Sequence, residues 1–307
     1  MISKSSNRSG VVLAIVGGMC WGFSGVFGQF LLEHRGLNAH WLVTVRLLLA
    51  GSLLIIIACI KQKEPSTILR IFSNKIDLIK LLIYSIIGMG ACQFSYYSTI
   101  EASNAGTATV LQYTGPILIM LWVSLQEKKS PTISEFFALI LTILGTFFIA
   151  THGNLSTLAI SKETLWWGIV ASVSLATYNI IGTGIMKKYG TDLIIGYGMV
   201  ISGIVLIPFT KPWHVPGVWD HITFLMMGIV IIVGTILSST LYLKGVTLIG
   251  AKRASMLAAS EPLTSTIFTA CFLGVIFSIW DILGLFLIIL GVTAISFFSK
   301  EDEILNK

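Results

Sequence analysis

The chain has 307 residues, of which 55% are hydrophobic and 11% are charged, with a mean hydropathy of +0.88. Soluble globular domains carry roughly a quarter of their residues as charged groups, so this composition excludes a soluble domain. The net charge of +6 does not indicate a nucleic-acid partner, because the cations follow the membrane topology described below.

Apolar runs of about 20 residues, the length that crosses a bilayer as a helix, recur along the whole chain. Breaks at Gly, Pro, Asn and charged residues separate them. The first run is too long for a signal-peptide core and is interpreted as an uncleaved span. The predicted helices lie at 11–32, 39–60, 79–100, 105–126, 133–151, 165–186, 191–209, 221–243, 253–274 and 279–298. We therefore expect an all-α polytopic membrane protein with ten transmembrane helices.

The Lys and Arg residues orient these helices. With the N-terminus inside, all but four of the 20 Lys and Arg residues lie on the inner side. Arg35, Lys162 and Lys211 lie outside, and Arg46 lies within a span. Cytoplasmic loops of membrane proteins carry such an excess of cations. The pattern predicts cytoplasmic N- and C-termini and a multi-pass protein of the cytoplasmic (plasma) membrane.

The two halves of the chain repeat each other. At an offset of 146, Tyr96 aligns with Tyr242, Pro116 with Pro262, and Glu135 with Asp281. The starts of the halves align at an offset near 154. Five helices per half is an odd number, so the second half enters the membrane in the opposite sense, as in transporters that alternate access around a midplane site. The predicted repeats are 1–151 and 152–307.

On these residues the chain resembles the EamA family of the drug/metabolite transporter superfamily. The resemblance is carried by "CWGFSGVFGQ" (20–29), "VRLLLAG" (45–51), "YYSTIEASNAGTATVLQYTGPILIMLW" (96–122), "LYLKGVTLIGAKRASMLAASEPLTSTIF" (241–268) and "GLFLIILGV" (284–292). It implies ten helices, a central cavity between the halves, and movement of small metabolites, often amino acids and frequently by export.

Two prolines interrupt apolar runs at matching positions in the halves. Pro116 and Pro262 lack an amide proton, and each ring displaces the carbonyl of the residue four positions earlier. Irregular backbone at membrane depth survives only beside protein or a water-filled cavity. Paired interruptions in two halves are the best sequence indication of a transport site. Helices four and nine are therefore expected to bend or break beside the central cavity.

Glu261 and Arg46 are the charged residues inside predicted spans that this cavity could use. A charge at the bilayer centre costs about 2.5 kcal/mol or more and normally faces a cavity or a partner. Glu261 is a candidate proton carrier or counter-ion for an amine, although a helix-capping role also explains it. Arg46 is interpreted as a substrate contact, a structural ion pair, or a side chain that extends to the surface.

Other polar or aromatic residues near the predicted midplane are expected to complete the substrate site. They are Trp21, Ser24, Gln93, Tyr96, Thr109, Gln112, Tyr113, Tyr178, Asn179, Ser238, Tyr242 and Ser255. For the lone Ser and Thr residues, hydrogen bonding between helices is the competing role. Such a wall suits small amphiphilic solutes better than phosphates, which need clustered Arg and Lys.

The sequence predicts a secondary transporter of small amphiphilic metabolites, most of all amino acids or related amines, acting by export. The alternative within transporters is a phosphate-linked exchanger of nucleotide sugars or triose phosphates. A membrane-embedded enzyme would need paired acids or a His cluster, and no such array is present. A channel or a scaffold has no supporting motif. The four cysteines lie in apolar runs without C-x-x-C spacing. We expect no metal, cofactor or nucleic acid, and a monomer or weak homodimer in the bilayer.

Overall fold

The computed structural model describes residues 4–61, 68–102, 111–112, 114–128, 131–151, 154, 161–273 and 278–298. The helices are α1 (Lys4–Arg35), α2 (Ala39–Lys61), α3 (Lys75–Leu82, a π-helical segment Ile83–Gly90, and Ala91–Ala102), α4 (Gly115–Glu127), α5 (Ile133–Thr151), α6 (Lys162–Tyr189), α7 (Thr191–Thr210), α8 (His221–Ile231, a π-helical segment Ile232–Leu237, and Ser238–Ile249), α9a (Ala251–Leu257), α9b (Ser260–Leu273) and α10 (Ile279–Phe298). A short 3₁₀ turn, Arg70–Ser73, precedes α3. No strand occurs in these described ranges, so the all-α prediction is confirmed.

Within the described residues, six helices are long and apolar enough to cross a membrane by length and composition. They are Arg8–Leu32 within α1, Ala39–Lys61, Lys75–Thr99 within α3, Lys162–Tyr189, Thr191–Thr210 and His221–Ile249. Shorter apolar stretches occupy Gly115–Gln126, Ile133–Gly145 and Ile282–Gly291. The structure thus supports a multi-span helical protein, while the count of ten crossings and the orientation of the termini stay predictions.

Local chemistry sets several helix ends. The side chain of Asn38 accepts the Trp41 amide at the start of α2 at 3.0 Å, and Asp220 accepts the Thr223 amide at the start of α8 at 2.8 Å. These bonds satisfy amide groups that have no partner within the helix. Helices α6 and α8 end at Gly190 and Gly250, whose positive φ angles of 95° and 85° suit glycine. The chain can therefore reverse direction there without strain.

The principal helix contacts join the first half of the chain to the second. α2 packs along α7, and α5 packs along α10. α1 packs against α8 and α9b, and its repeat counterpart α6 packs against α3 and α4. When the two halves are exchanged, the α2–α7 and α5–α10 contacts map onto themselves. The contacts of α1 map onto the contacts of α6. The two repeats therefore interleave instead of forming separate compact bodies.

The two π-helical segments occupy corresponding places in the halves. At the offset of 146, Gly88 in the first segment corresponds to Gly234 in the second. A Cβ on Gly88 would lie 2.6 Å from the Cβ of Tyr178 on α6, and one on Gly234 would overlap Ser24 on α1. Ser24 and Tyr178 are themselves counterparts at the offset of 154. The glycines let α3 and α8 approach the first helix of the opposite half equally closely.

Candidate functional site

The helical path is interrupted at corresponding positions in helices four and nine. Thr114 forms a turn, its amide donating to Leu111 at 3.2 Å, and α4 then begins at Gly115 with Pro116 in its first turn. In the second half, Ala258 and Ala259 form a turn between α9a and α9b. Pro262 falls in the first turn of α9b, where a missing amide proton is tolerated.

The first helix of the opposite half packs directly on each interruption. On α1, a Cβ on Gly18 would lie 2.5 Å from the hydroxyl of Ser260, whose own hydroxyl donates to the Ile15 carbonyl at 2.9 Å. On α6, the Ser172 hydroxyl donates to the Leu111 carbonyl at 2.6 Å and lies 2.5 Å from that of Thr114. The Ser172 hydroxyl thus binds a carbonyl beside the break in helix four, while the Ser260 hydroxyl at the break in helix nine binds a carbonyl of α1, and each bond fixes a turn against its neighbour.

A cavity lies between the two interruptions. Its wall consists of Trp21, Gln112, Pro116, Leu175, Tyr178, Tyr242, Ser255, Ala258 and Glu261. The space free of protein atoms is about 350 Å³, of which about 30 Å³ can be reached by the centre of a water molecule. The cavity is therefore narrow in this conformation, and a metabolite would need the walls to separate.

Aromatic rings and one carboxylate dominate the chemistry of this wall. The rings of Trp21 and Tyr242 pack at 5.0 Å between centroids with a tilt of 51°. Glu261 lies in the first turn of α9b, near the positive end of that short helix. An apolar, aromatic wall with a single acid suits an amphiphilic solute that carries a positive group.

Asn179 stands behind the wall and fixes one of its rings. Its side-chain carbonyl accepts the hydroxyl of Tyr242 at 2.6 Å, and its amide donates to the Leu175 carbonyl at 2.9 Å. Both Asn179 and Tyr242 are buried. The sequence predicts Asn179 as a substrate contact, whereas here its polar atoms are bonded to protein and it positions Tyr242.

Several other predicted site residues lie away from the described wall. Ser24 donates to the Trp21 carbonyl at 3.2 Å, and Ser238 donates to the Gly234 carbonyl at 2.7 Å. Tyr96 packs edge-on against Tyr97 at 5.6 Å. Each of these contacts lies within a single helix. The predicted residues Thr109 and Tyr113 lie outside the described residues.

Two wall residues, Leu175 and Ala258, are absent from the sequence prediction. Leu175 corresponds to Trp21 at the offset of 154, and Ala258 corresponds to Gln112 at the offset of 146. The repeat symmetry alone could have identified both. A search for polar and aromatic side chains misses them because they are aliphatic.

Arg46 lies on α2 and is only 9% exposed. One terminal nitrogen of its guanidinium donates to the side-chain carbonyl of Gln93, and the ring of Tyr97 lies 5.5 Å from its central carbon. Among the described residues, its Nε has no hydrogen-bond partner. Gln93 follows Cys92, whose sulfur accepts a hydrogen bond at 3.4 Å from the cavity residue Gln112. Adjacent residues of α3 therefore contact Arg46 and the cavity wall, although Arg46 is not itself one of the wall residues.

A second, larger cavity opens where α4, α5, α6 and α9a meet. The centre of a water molecule can reach about 390 Å³ of it, and it is lined by Val123, Gln126, Glu135, Ile180, Thr183, Ile249, Gly250, Ala251, Lys252 and Arg253. The ammonium of Lys252 lies 2.6 Å from the carboxylate of Glu135, and both side chains are mostly buried. This ion pair connects α5 of the first half with α9a of the second.

No group of three or more His, Cys, Asp and Glu side chains comes together to bind a metal within the part of the chain that the structure describes. The titratable wall groups of the central cavity are Glu261 and the hydroxyls of Tyr178 and Tyr242. Nothing in that wall pairs a nucleophile with a base, the arrangement that a hydrolytic site requires. The wall is suited to binding.

Comparisons with known proteins also indicate a transporter. Residues 8–151 and 163–297 match the sequence profile of the EamA-like transporter family. The chain is 35% identical over 296 residues to the uncharacterized inner membrane transporter YicL of Salmonella typhimurium, covering 96% of this chain and 98% of that one. It is 25% identical over 198 residues to the threonine/homoserine exporter RhtA of the same species, covering 64% and 63%. A solved crystal structure of a protein shares the fold with a TM-score of 0.78 at 14% identity, covering 96% of this chain and 99% of that one.

Proposed function

Because the chain belongs to the EamA-like transporter family, we propose that it is a secondary transporter that exports small amphiphilic metabolites, most of all amino acids or related amines. It is a multi-pass integral protein of the cytoplasmic membrane. The central cavity is the proposed substrate site, and transport proceeds by alternating access to it. The threonine/homoserine exporter among its relatives supports this class of solute.

The topology that we propose is ten spans with both termini in the cytoplasm. The excess of Lys and Arg on one side of the predicted spans supports this orientation. The second cavity, with Lys252 and Arg253, then faces the cytoplasm and forms the inner entrance to the site. One chain contains the whole central cavity, so we propose the single chain as the transporting unit, alone or within a weak homodimer.

The position of Glu261 is the observation that supports this function most directly. A carboxylate lies in the wall of a cavity built between two interrupted helices, in a stretch that is otherwise apolar. A carboxylate in such a setting is stabilised when a cation approaches it. A substrate ammonium group is such a cation, and the rings of Trp21 and Tyr242 would contact its apolar part.

The wall composition argues against a phosphate-linked exchanger. Phosphate recognition relies on Arg and Lys side chains, and the described wall of the central cavity contains one acid and no Lys or Arg. The same wall gives no support to an enzyme, so we propose that the protein carries out transport without covalent chemistry.

The test is transport in proteoliposomes. Purified protein is reconstituted, and uptake of labelled threonine, homoserine and simple amines is measured with and without a pH gradient. We expect uptake of amino-bearing solutes by the wild type and a loss of at least about tenfold in Glu261→Gln, which keeps the side-chain shape but removes the charge.

Glu163→Gln is the matched control, because Glu163 is exposed in the first turn of α6 and lies outside the cavity wall. Wild-type uptake in correctly inserted Glu261→Gln protein would remove Glu261 from the mechanism. Absence of uptake for every amino-bearing solute in the wild type would overturn the proposed function.

A further inference from the structure

Arg46 is a buried cation whose hydrogen-bonding capacity is not filled. Its side chain is held by Gln93 and by the ring of Tyr97, while its Nε donor has no partner among the described residues. Placing a guanidinium inside a membrane span is costly. A buried donor without an acceptor adds to that cost. Packing alone does not explain why the chain places an arginine here.

Glu261 is the complementary case, an anion in the wall of the central cavity. Among the described residues, no Lys, Arg or His lies within 4.0 Å of its carboxylate. Glu261 and Arg46 carry opposite charges, yet the salt bridges of the described residues include none between these two groups. Opposite charges that stay apart in a low-dielectric region leave both incompletely compensated.

The repeat shows that the fold does not need these charges. At the offset of 154, the counterpart of Arg46 is Val200, and at the offset of 146 the counterpart of Glu261 is Gly115. Both counterparts are neutral and occupy corresponding helices, α7 and α4. The corresponding helices therefore form without a charged residue at these places. Formation of the fold does not by itself explain why Arg46 and Glu261 are charged.

We infer that Arg46 and Glu261 are the two poles of a site for zwitterionic amino acids, in which Glu261 receives the ammonium group and Arg46 receives the carboxylate. The inference rests on the proposed function and specifies the substrate class of the same cavity. A guanidinium offers a planar pair of donors that matches a carboxylate. Gln93 holds the guanidinium until the substrate carboxylate replaces the Gln93 carbonyl as its acceptor. A bound zwitterion compensates both charges at once, whereas an amine or an acid alone compensates one.

The experiment compares three competitors that differ in which charged groups they carry. Uptake of labelled threonine into proteoliposomes is inhibited with unlabelled threonine, with threonine methyl ester, which keeps only the ammonium, or with the corresponding 2-hydroxy acid, which keeps only the carboxylate. We expect threonine to inhibit the wild type at a concentration at least about tenfold lower than either analogue, because each analogue loses one charge-assisted contact.

Each variant should lose the preference for threonine over one analogue and keep the preference for threonine over the other. In Arg46→Gln the ester should compete as well as threonine, and in Glu261→Gln the 2-hydroxy acid should do so. Arg46→Lys keeps the charge and should retain part of the preference for threonine over the ester. Arg35→Gln is the control, since Arg35 pairs with Asp220 at 3.3 Å outside the cavity wall and should leave both ratios unchanged.

The ratios are measured within one preparation, so a lower yield of a variant does not affect them. If a variant gives no measurable uptake, binding of the same three compounds to the purified protein by thermal shift supplies the ratios. Equal inhibition by all three compounds in a transporting wild type would overturn the zwitterion site and leave the proposed function standing. No transport of amino-bearing solutes at all would instead overturn the proposed function.

Discussion

Replacing Gly22 with alanine should disturb the site through backbone contact alone. A Cβ at this position of α1 would overlap the carbonyl oxygen of Glu261 and lie 2.8 Å from the amide nitrogen of Ser265. Favourable contacts between heavy atoms begin at about 3.5 Å, and the contact with the Glu261 carbonyl oxygen would be the closest, so α1 and α9b must separate by about 1.2 Å at this point. Neither backbone atom can rotate away, and the displacement falls on the turn that carries Glu261.

The cost can be isolated with a second glycine on the same helix. A Cβ on Gly25 would meet nothing within 4 Å. Alanine improves helix propensity by up to about 1 kcal/mol at either site, so this gain cancels in the comparison. The overlap at Gly22 should then make Gly22→Ala less stable than Gly25→Ala by about 1–3 kcal/mol, the range for overpacked cores.

Thermal unfolding of the purified variants in one detergent measures this difference, and proteoliposome uptake measures its effect on the site. We expect Gly22→Ala to unfold at a lower temperature and to transport more slowly, while Gly25→Ala resembles the wild type in both assays. Equal stability and equal uptake in the two variants would refute the claim that α1 packs directly on the break in helix nine.

Three further substitutions address contacts that hold the molecule together. Tyr242→Phe leaves the buried carbonyl of Asn179 without its donor and should lower the free energy of unfolding by about 1–3 kcal/mol. The double variant with Asn179→Leu should recover part of this loss. Strictly additive losses of stability in the two single variants would contradict the contact. Glu135→Gln leaves the ammonium of Lys252 unpaired and should cost up to about 3 kcal/mol in unfolding assays, with rescue by Lys252→Met; no rescue would place the cost elsewhere. The pKa of Asp220 is lowered, chiefly because a backbone amide of α8 donates to the Asp220 carboxylate. The stability that Asp220 contributes is therefore present above the pKa of the unfolded state and is lost as pH falls through the pKa of the folded state. Asp220→Asn keeps a capping oxygen that does not titrate and should unfold with a weaker acid dependence; an unchanged acid dependence would exclude Asp220 as its source.

The sequence predicts the helices well because their signals are local. Where the structure describes the predicted apolar runs, most of their residues are helical, and the interruption beside Pro262 lies within the stretch that the proline pattern indicates. Cys92 and Asn179 show where such signals stop. Their contacts with Gln112 and Tyr242 depend on the rotation of α3 and α6 about their axes. In a membrane, lipid and protein interior are both apolar, so hydrophobic periodicity does not mark the buried face.

Arg46 illustrates a second limit of the sequence. Its depth in the predicted span identifies it as unusual, and the three roles considered for it differ only in which partner it contacts. That partner, Gln93, lies 47 positions away and is reached through the packing of α2 on α3. No local pattern records a contact at that separation. The repeat does carry some of this information, as the correspondence between Trp21 and Leu175 shows.

The packing also decides which parts of the molecule can move as units. Motion of one sequence repeat against the other would separate α1 from α8 and α9b, and α6 from α3 and α4, which are principal contacts of the fold. Motion between the two mixed bundles, α1 with α8 and α9 against α6 with α3 and α4, leaves those contacts intact. The cavity wall divides along the same line: Trp21, Tyr242, Ser255, Ala258 and Glu261 come from the first bundle, and Gln112, Pro116, Leu175 and Tyr178 from the second. Each bundle contains one interrupted helix and one π-helical segment, so the inverted repeat is expressed in three dimensions as two related bundles that face each other across the cavity. On the proposed function, we expect alternating access to change the angle between these two bundles while the contacts within each bundle stay intact.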